Sequence, residues 1–138
     1  MIESVYKLLA AVGYTHPIHP VITHIPMGML IGGFLFRLLS LKWQQFAKTA
    51  GYCYVVALIA APFTALFGYM DWKHRLFGVM SGWIEAKFIL TACLLVFLSI
   101  TVYHDRKEAP GPWLTVLLYA LCFFTGIGLG YVGGELAY

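Results

Sequence analysis

Three histidines, His16, His19 and His24, stand in the run Gly13-Tyr14-Thr15-His16-Pro17-Ile18-His19-Pro20-Val21-Ile22-Thr23-His24-Ile25-Pro26, at the mouth of the first long apolar stretch. Imidazole titrates near neutral pH and ligates haem iron, zinc and copper, so a cluster of it at the edge of an apolar segment is a site hypothesis. His24 is followed at steps of four by Gly28 and Gly32, which on a helix sets the ring at the head of a face without side-chain bulk. Such a face either lets another helix approach or leaves a slot for the edge of a flat ligand. Pro17, Pro20 and Pro26 disturb regular geometry, so His16 and His19 are expected in a turn that caps a helix starting near Pro20.

A haem held between helices needs a neutral imidazole from one helix, a second axial ligand from a facing one, and room for the macrocycle. His24 is the expected first ligand. His74, just past the second apolar stretch at the same end, and His19 are the candidates for the second, and His16, Gly28 and Gly32 complete the expected cofactor-binding set. Met27, Met29, Met70 and Met80 are chemically able to ligate, whereas His104 falls at the opposite end. Asp71, Glu85 and Lys87 lie at the histidine end too. Glu85 and Lys87 sit just inside the third stretch, where an isolated charge is expensive, so each is expected to pair with Asp71, Arg75 or a histidine. The same acids and imidazoles would serve proton transfer or quinone binding. No tight ligand spacing supports zinc or copper.

The elements that must position these residues follow from composition. Of 138 residues, 61% are hydrophobic and only 11% charged, with mean hydropathy +0.81. Soluble domains carry about 25% charged residues, so this is an integral membrane protein. A helix needs about 20 apolar residues to cross the hydrocarbon, and stretches near 20–41, 49–70, 83–103 and 113–133 meet that length. Lipid tolerates no bare backbone polar groups, so unbroken runs of this length are helical. The expected fold is an all-α, single-domain transmembrane four-helix bundle. Trp43, Trp72, Trp83 and Trp113 mark the span ends, as interfacial tryptophans do. Before the first span, Ile2, Val5, Leu8, Leu9 and Val12 recur at near-helical spacing and predict a short interfacial helix, a retained anchor and not a cleaved leader.

Arg37, Lys42, Lys48, Arg106 and Lys107 crowd one end of the spans, against Lys7, Lys73, Arg75 and Lys87 at the other. The bias places both termini and the histidines on the outer side of the membrane. The net charge of +3 forms no patch and gives no reason to expect nucleic acid. Cys53, Cys93 and Cys122 fall in different spans, and without a Cys-x-x-Cys-His run the sequence offers no covalent c-type haem attachment. No span carries a charge near its middle and no paired repeat is visible, which disfavours a transporter or proton channel.

His16-Pro17-Ile18-His19-Pro20 with Thr23-His24-Ile25-Pro26, then Gly68-Tyr69-Met70-Asp71, then Gly130-Tyr131-Val132-Gly133-Gly134-Glu135-Leu136-Ala137-Tyr138, resemble a bacterial family of four-helix predicted inner-membrane proteins, some joined to Rieske-type iron–sulfur domains. The resemblance runs from His16 onward. It implies a redox setting in the cell envelope and a b-type haem bundle. Relatives often carry histidine where Lys87 and Tyr131 stand here, so two ligands available elsewhere are missing. The reading that results is an electron carrier or subunit, not itself a catalyst, with haem b, linking the quinone pool or a redox partner to an acceptor on the outer face. The alternative is a cofactor-free structural subunit of a larger respiratory or photosynthetic complex. Lipid and the protein partners of a redox complex are the expected neighbours, and quinone is a second candidate ligand.

Overall fold

The computed structural model describes residues 2–107 and 111–135. The His104–Pro112 loop is therefore seen only in part, and Leu136, Ala137 and Tyr138 of the terminal motif lie outside the described residues. The described residues form five helices: α1 (Ile2–Ala11), α2 (His19–Ser40), α3 (Phe46–Arg75), α4 (Gly82–Asp105) and α5 (Pro112–Glu135). No strand occurs among the described residues.

The four long helices are apolar and long enough to cross a membrane. α3, at 30 residues, runs about 45 Å at 1.5 Å per residue, against hydrocarbon about 30 Å thick. Its last turn, Trp72-Lys73-His74-Arg75, therefore has length to stand in the head-group layer. α2 packs on α3 and α5, and α4 packs on the same two, so α2 faces α4 across one diagonal of a bundle. The short connections make neighbouring helices antiparallel. Among the described helices, α1 packs on α3.

Residues such as Ile59, Phe63, Ile89 and Leu117 are exposed on the outside of the bundle, where lipid tails replace water. Inside, packing decides, because lipid gives apolar side chains no reason to leave it. Ala50, Ala57 and Ala61 let α3 approach its neighbours, and Tyr54 and Tyr119 are fully buried, their rings stacked with centroids 4.0 Å apart. Gly33 is obligatory: a Cβ there would stand 2.5 Å from the Tyr54 ring. Gly126 meets Leu30 in the same way, at 2.9 Å. Gly28 and Gly32 contact nothing within 4 Å of such a Cβ, so the face they share looks away from the bundle.

At the end opposite the histidines, Arg37 of α2 reaches Asp105 of α4 across that diagonal, Nη1 to Oδ1 3.4 Å. The Tyr119 hydroxyl donates to the other Asp105 oxygen at 3.1 Å, and the Tyr54 hydroxyl donates to the Tyr119 carbonyl at 2.8 Å.

Candidate functional site at the polar mouth of the bundle

α2 begins with Pro20 in its first turn and no side-chain cap of its own. The orphan N–H groups of such a start need an acceptor, and it comes from another helix. Asp71, buried near the end of α3, accepts the His19 N–H on Oδ2 at 2.8 Å and the Ile18 N–H on Oδ1 at 3.3 Å. A carboxylate here also meets the positive end of the α2 dipole. Oδ1 accepts a third hydrogen bond, from the Tyr6 hydroxyl of α1. Burial of the phenol, and then that bond, raise the Tyr6 pKa above its ordinary value, because both favour the neutral form.

Each histidine has its own fate. His74 lies flat against Tyr6, ring centroids 3.9 Å apart, and its Nδ1 donates to Glu3 Oε1 at 2.9 Å. A carboxylate acceptor fixes the proton on Nδ1 and leaves Nε2 for a ligand, the orientation that supporting carboxylates impose on ligating histidines. His19 turns inward over Gly68, with Nδ1 donating to the Thr64 carbonyl at 3.0 Å, so its Nε2 is free as well. His16 stands edge-on to Tyr14, whose hydroxyl donates to the Pro17 carbonyl at 3.0 Å. His24 is exposed on the outer face of α2, above Gly28 and Gly32.

Two cavities at this end are lined by described residues. At the mouth, Tyr6, Ala10, Tyr14, Thr15, His16, His74 and Arg75 line an open cleft of about 370 Å³. Deeper, on the axis between all four long helices, a space of about 70 Å³ is lined by His19, Thr23, Thr64, Lys87 and Thr91 above apolar side chains such as Leu30 and Leu94. The structure thus brings His16 and His74 to one cavity, takes His19 into another, and leaves His24 outside both. The structure does not bring His24 together with His74 or His19, since the three imidazoles face different spaces. Among the described residues, no three His, Cys, Asp or Glu side chains converge as a metal-binding group.

The expected pairing of Glu85 and Lys87 is also corrected. Glu85 is exposed, and neither residue forms an ion pair within 4.0 Å among the described residues. Sequence reading missed Tyr6, Tyr14 and Arg75 as cavity walls, and Glu3 as the partner of His74. The signal for two of them was present: Glu3, Tyr6 and Ala10 share one face of α1 by helical spacing.

The family model of predicted membrane proteins DUF2231 matches residues 15–138. The chain belongs to this family. With four apolar helices it is a multi-pass membrane protein in contact with lipid. The DUF2231 match takes in His16, His19, His24 and His74 and all four long helices, whereas Glu3, Tyr6 and Tyr14 precede it. No curated protein and no solved structure matches the chain.

Proposed function

We propose that this chain is the quinone-contacting membrane subunit of a redox assembly, taking the quinone head group in the mouth cavity. The observation that carries the reading is that His16 and His74 face one space of about 370 Å³. Ligand pockets run to about 300–1,000 Å³, so the mouth has the size for a substituted ring and the axial cavity does not. Quinone oxygens accept hydrogen bonds, and the wall offers donors in Arg75, Thr15 and the two imidazoles. Tyr6 and Tyr14 add aromatic faces, and the isoprenoid tail has lipid beside it. In this reading the electron-carrying centre belongs to a partner protein, and this chain supplies binding and, through His74 backed by Glu3, a proton donor. The basic residues at the far end support an outward-facing mouth in a bacterial inner membrane.

The test is a titration of the full chain, in lipid nanodiscs, with a short-tailed ubiquinone analogue, followed by quenching of tryptophan fluorescence. Saturable binding is expected, weakened about tenfold, or 1.4 kcal/mol, by His16→Ala and by His74→Ala and unchanged by His24→Ala. Quenching that follows lipid partitioning alone, or that survives both cavity variants, would overturn the proposal. A b-type band in the reduced-minus-oxidised spectrum of the purified chain would overturn the division of labour and restore a haem role.

A further inference from the structure

The turn that joins α3 to α4 exposes apolar side chains. Leu76, Phe77, Val79 and Met80 are all exposed, as is Trp83 in the first turn of α4. Trp72 nonetheless holds the turn in one shape. Its carbonyl accepts from the Leu76 and Gly78 N–H groups, at 3.1 and 3.3 Å, and its indole N–H donates to the Val79 carbonyl at 2.9 Å. Phe77 and Gly78 have positive φ, 51° and 70°. Glycine takes that conformation freely, whereas a residue with a Cβ is strained in it. Phe77 accepts the strain with 87% of its surface exposed, so the phenyl ring serves neither the turn nor the core. A strained residue held in that way points to a contact made outside the chain.

Lipid is the neighbour that the position favours. Trp72 stands in the last turn of α3, which has length to reach the head-group layer, and its ring packs edge-on against Phe88 of α4, centroids 5.5 Å apart. The indole bond keeps Val79 beside Trp72, so that part of the turn shares the layer of an interfacial tryptophan. Leu66 and Tyr69 on α3 and Phe88 and Ile89 on α4 are exposed as well, and the turn continues the lipid-facing surface of these two helices. Charge completes the pattern. The Lys73 ammonium lies over the Trp72 ring, 4.9 Å from its centroid, and next to Gly78, with no carboxylate within 4.0 Å among the described residues. Arg75, at the edge of the mouth cleft, adds a second exposed cation, and Glu85 is the one acid between positions 72 and 90. An ammonium set beside exposed apolar side chains at this depth complements a lipid with a negative head group. We propose that the α3–α4 turn is a binding site for anionic phospholipid, with Lys73 taking the phosphate and Phe77, Val79 and Met80 set among the upper acyl carbons.

The site is independent of the quinone reading. Its test uses the full chain with Trp43, Trp83 and Trp113 replaced by phenylalanine, so that Trp72 alone reports, in phosphatidylcholine nanodiscs doped with a lipid brominated in its acyl chains. Brominated phosphatidylglycerol is expected to quench Trp72 as far as brominated phosphatidylcholine does at a mole fraction about fivefold lower, the preference that one lysine near an anionic surface supplies. Lys73→Gln should bring the two lipids close to parity. Phe77→Gly, which relaxes the turn while removing the ring, should weaken quenching by both. Equal quenching by the two lipids in wild type, or a preference that survives Lys73→Gln, overturns the proposal. Ready quenching by aqueous acrylamide without lipid preference also overturns it, and would give the turn to a water-borne protein partner. If the triple variant does not fold, the unaltered chain is unfolded by heat in micelles: phosphatidylglycerol should raise its midpoint more than phosphatidylcholine does, with that difference gone in Lys73→Gln, and equal shifts by the two lipids in wild type overturn the proposal.

Discussion

Gly33 and Asp71 show how single residues decide this structure. A methyl group at Gly33 would sit 2.5 Å from a ring carbon of Tyr54, itself fully buried against Tyr119, so neither neighbour can give way cheaply. Gly33→Ala is therefore expected to cost about 1–3 kcal/mol, read as a lowered unfolding midpoint in mixed micelles, while Gly32→Ala, which meets nothing within 4 Å, should be neutral. The two are adjacent in sequence, and the step-of-four spacing drew attention to Gly32 and not to Gly33, the one that packs on Tyr54. Spacing identifies a face of small residues without saying whether that face meets a helix or lipid. Asp71 was equally hard to read. Its place at the histidine end was visible, but its use as the cap of α2 depends on a fold that brings residues 18, 19 and 71 together.

The helices themselves were legible, because about 20 apolar residues in lipid leave one backbone solution; the span drawn from hydropathy at 49–70 became α3 at Phe46–Arg75 only because polar ends continue the helix beyond the hydrocarbon. The docking of α1 was not legible. It rests on polar contacts with α3, Tyr6 to Asp71, Tyr6 on His74 and Glu3 to His74, and such contacts leave no periodic mark. Their pH dependence follows from the sign of one shift. Docking raises the Tyr6 pKa above the ordinary value of about 10. Its contribution is therefore complete below about pH 10 and is lost as pH climbs from there toward the raised value. α1 should loosen from α3 at strongly alkaline pH, seen as faster cleavage by an alkali-tolerant protease near Lys7. Tyr6→Phe should show loosened docking already at neutral pH and lose the alkaline step, and an alkaline step of wild-type size in that variant would contradict the assignment.

Taken whole, the bundle is fastened by polar groups at its two ends and by small residues and aromatic rings between them. That division suits a membrane, where burying a leucine gains little over leaving it in lipid. At the mouth the fastening is a helix cap; at the far end it is charge, Arg37 on Asp105 at 3.4 Å with side chains only 9% and 15% exposed. The far pair joins α2 to α4, helices that otherwise face each other only across the bundle axis. It is imperfectly satisfied: Arg37 Nε is buried and finds no hydrogen-bond partner among the described residues. A buried pair of this kind is weak evidence for net stability, yet breaking it from one side strands the other charge, at about 3–5 kcal/mol. Asp105→Leu alone should therefore be the most destabilising single change at that end, because it leaves a buried guanidinium over the Tyr119 ring at 5.7 Å without its ion-pair partner. The double variant Arg37→Leu with Asp105→Leu should recover most of the loss, since no charge is then left without its counterpart. A double-mutant cycle measured by denaturant unfolding in micelles checks this, and a double variant no more stable than Asp105→Leu would mean that the ion pair itself, and not the avoidance of a stranded charge, holds that corner together.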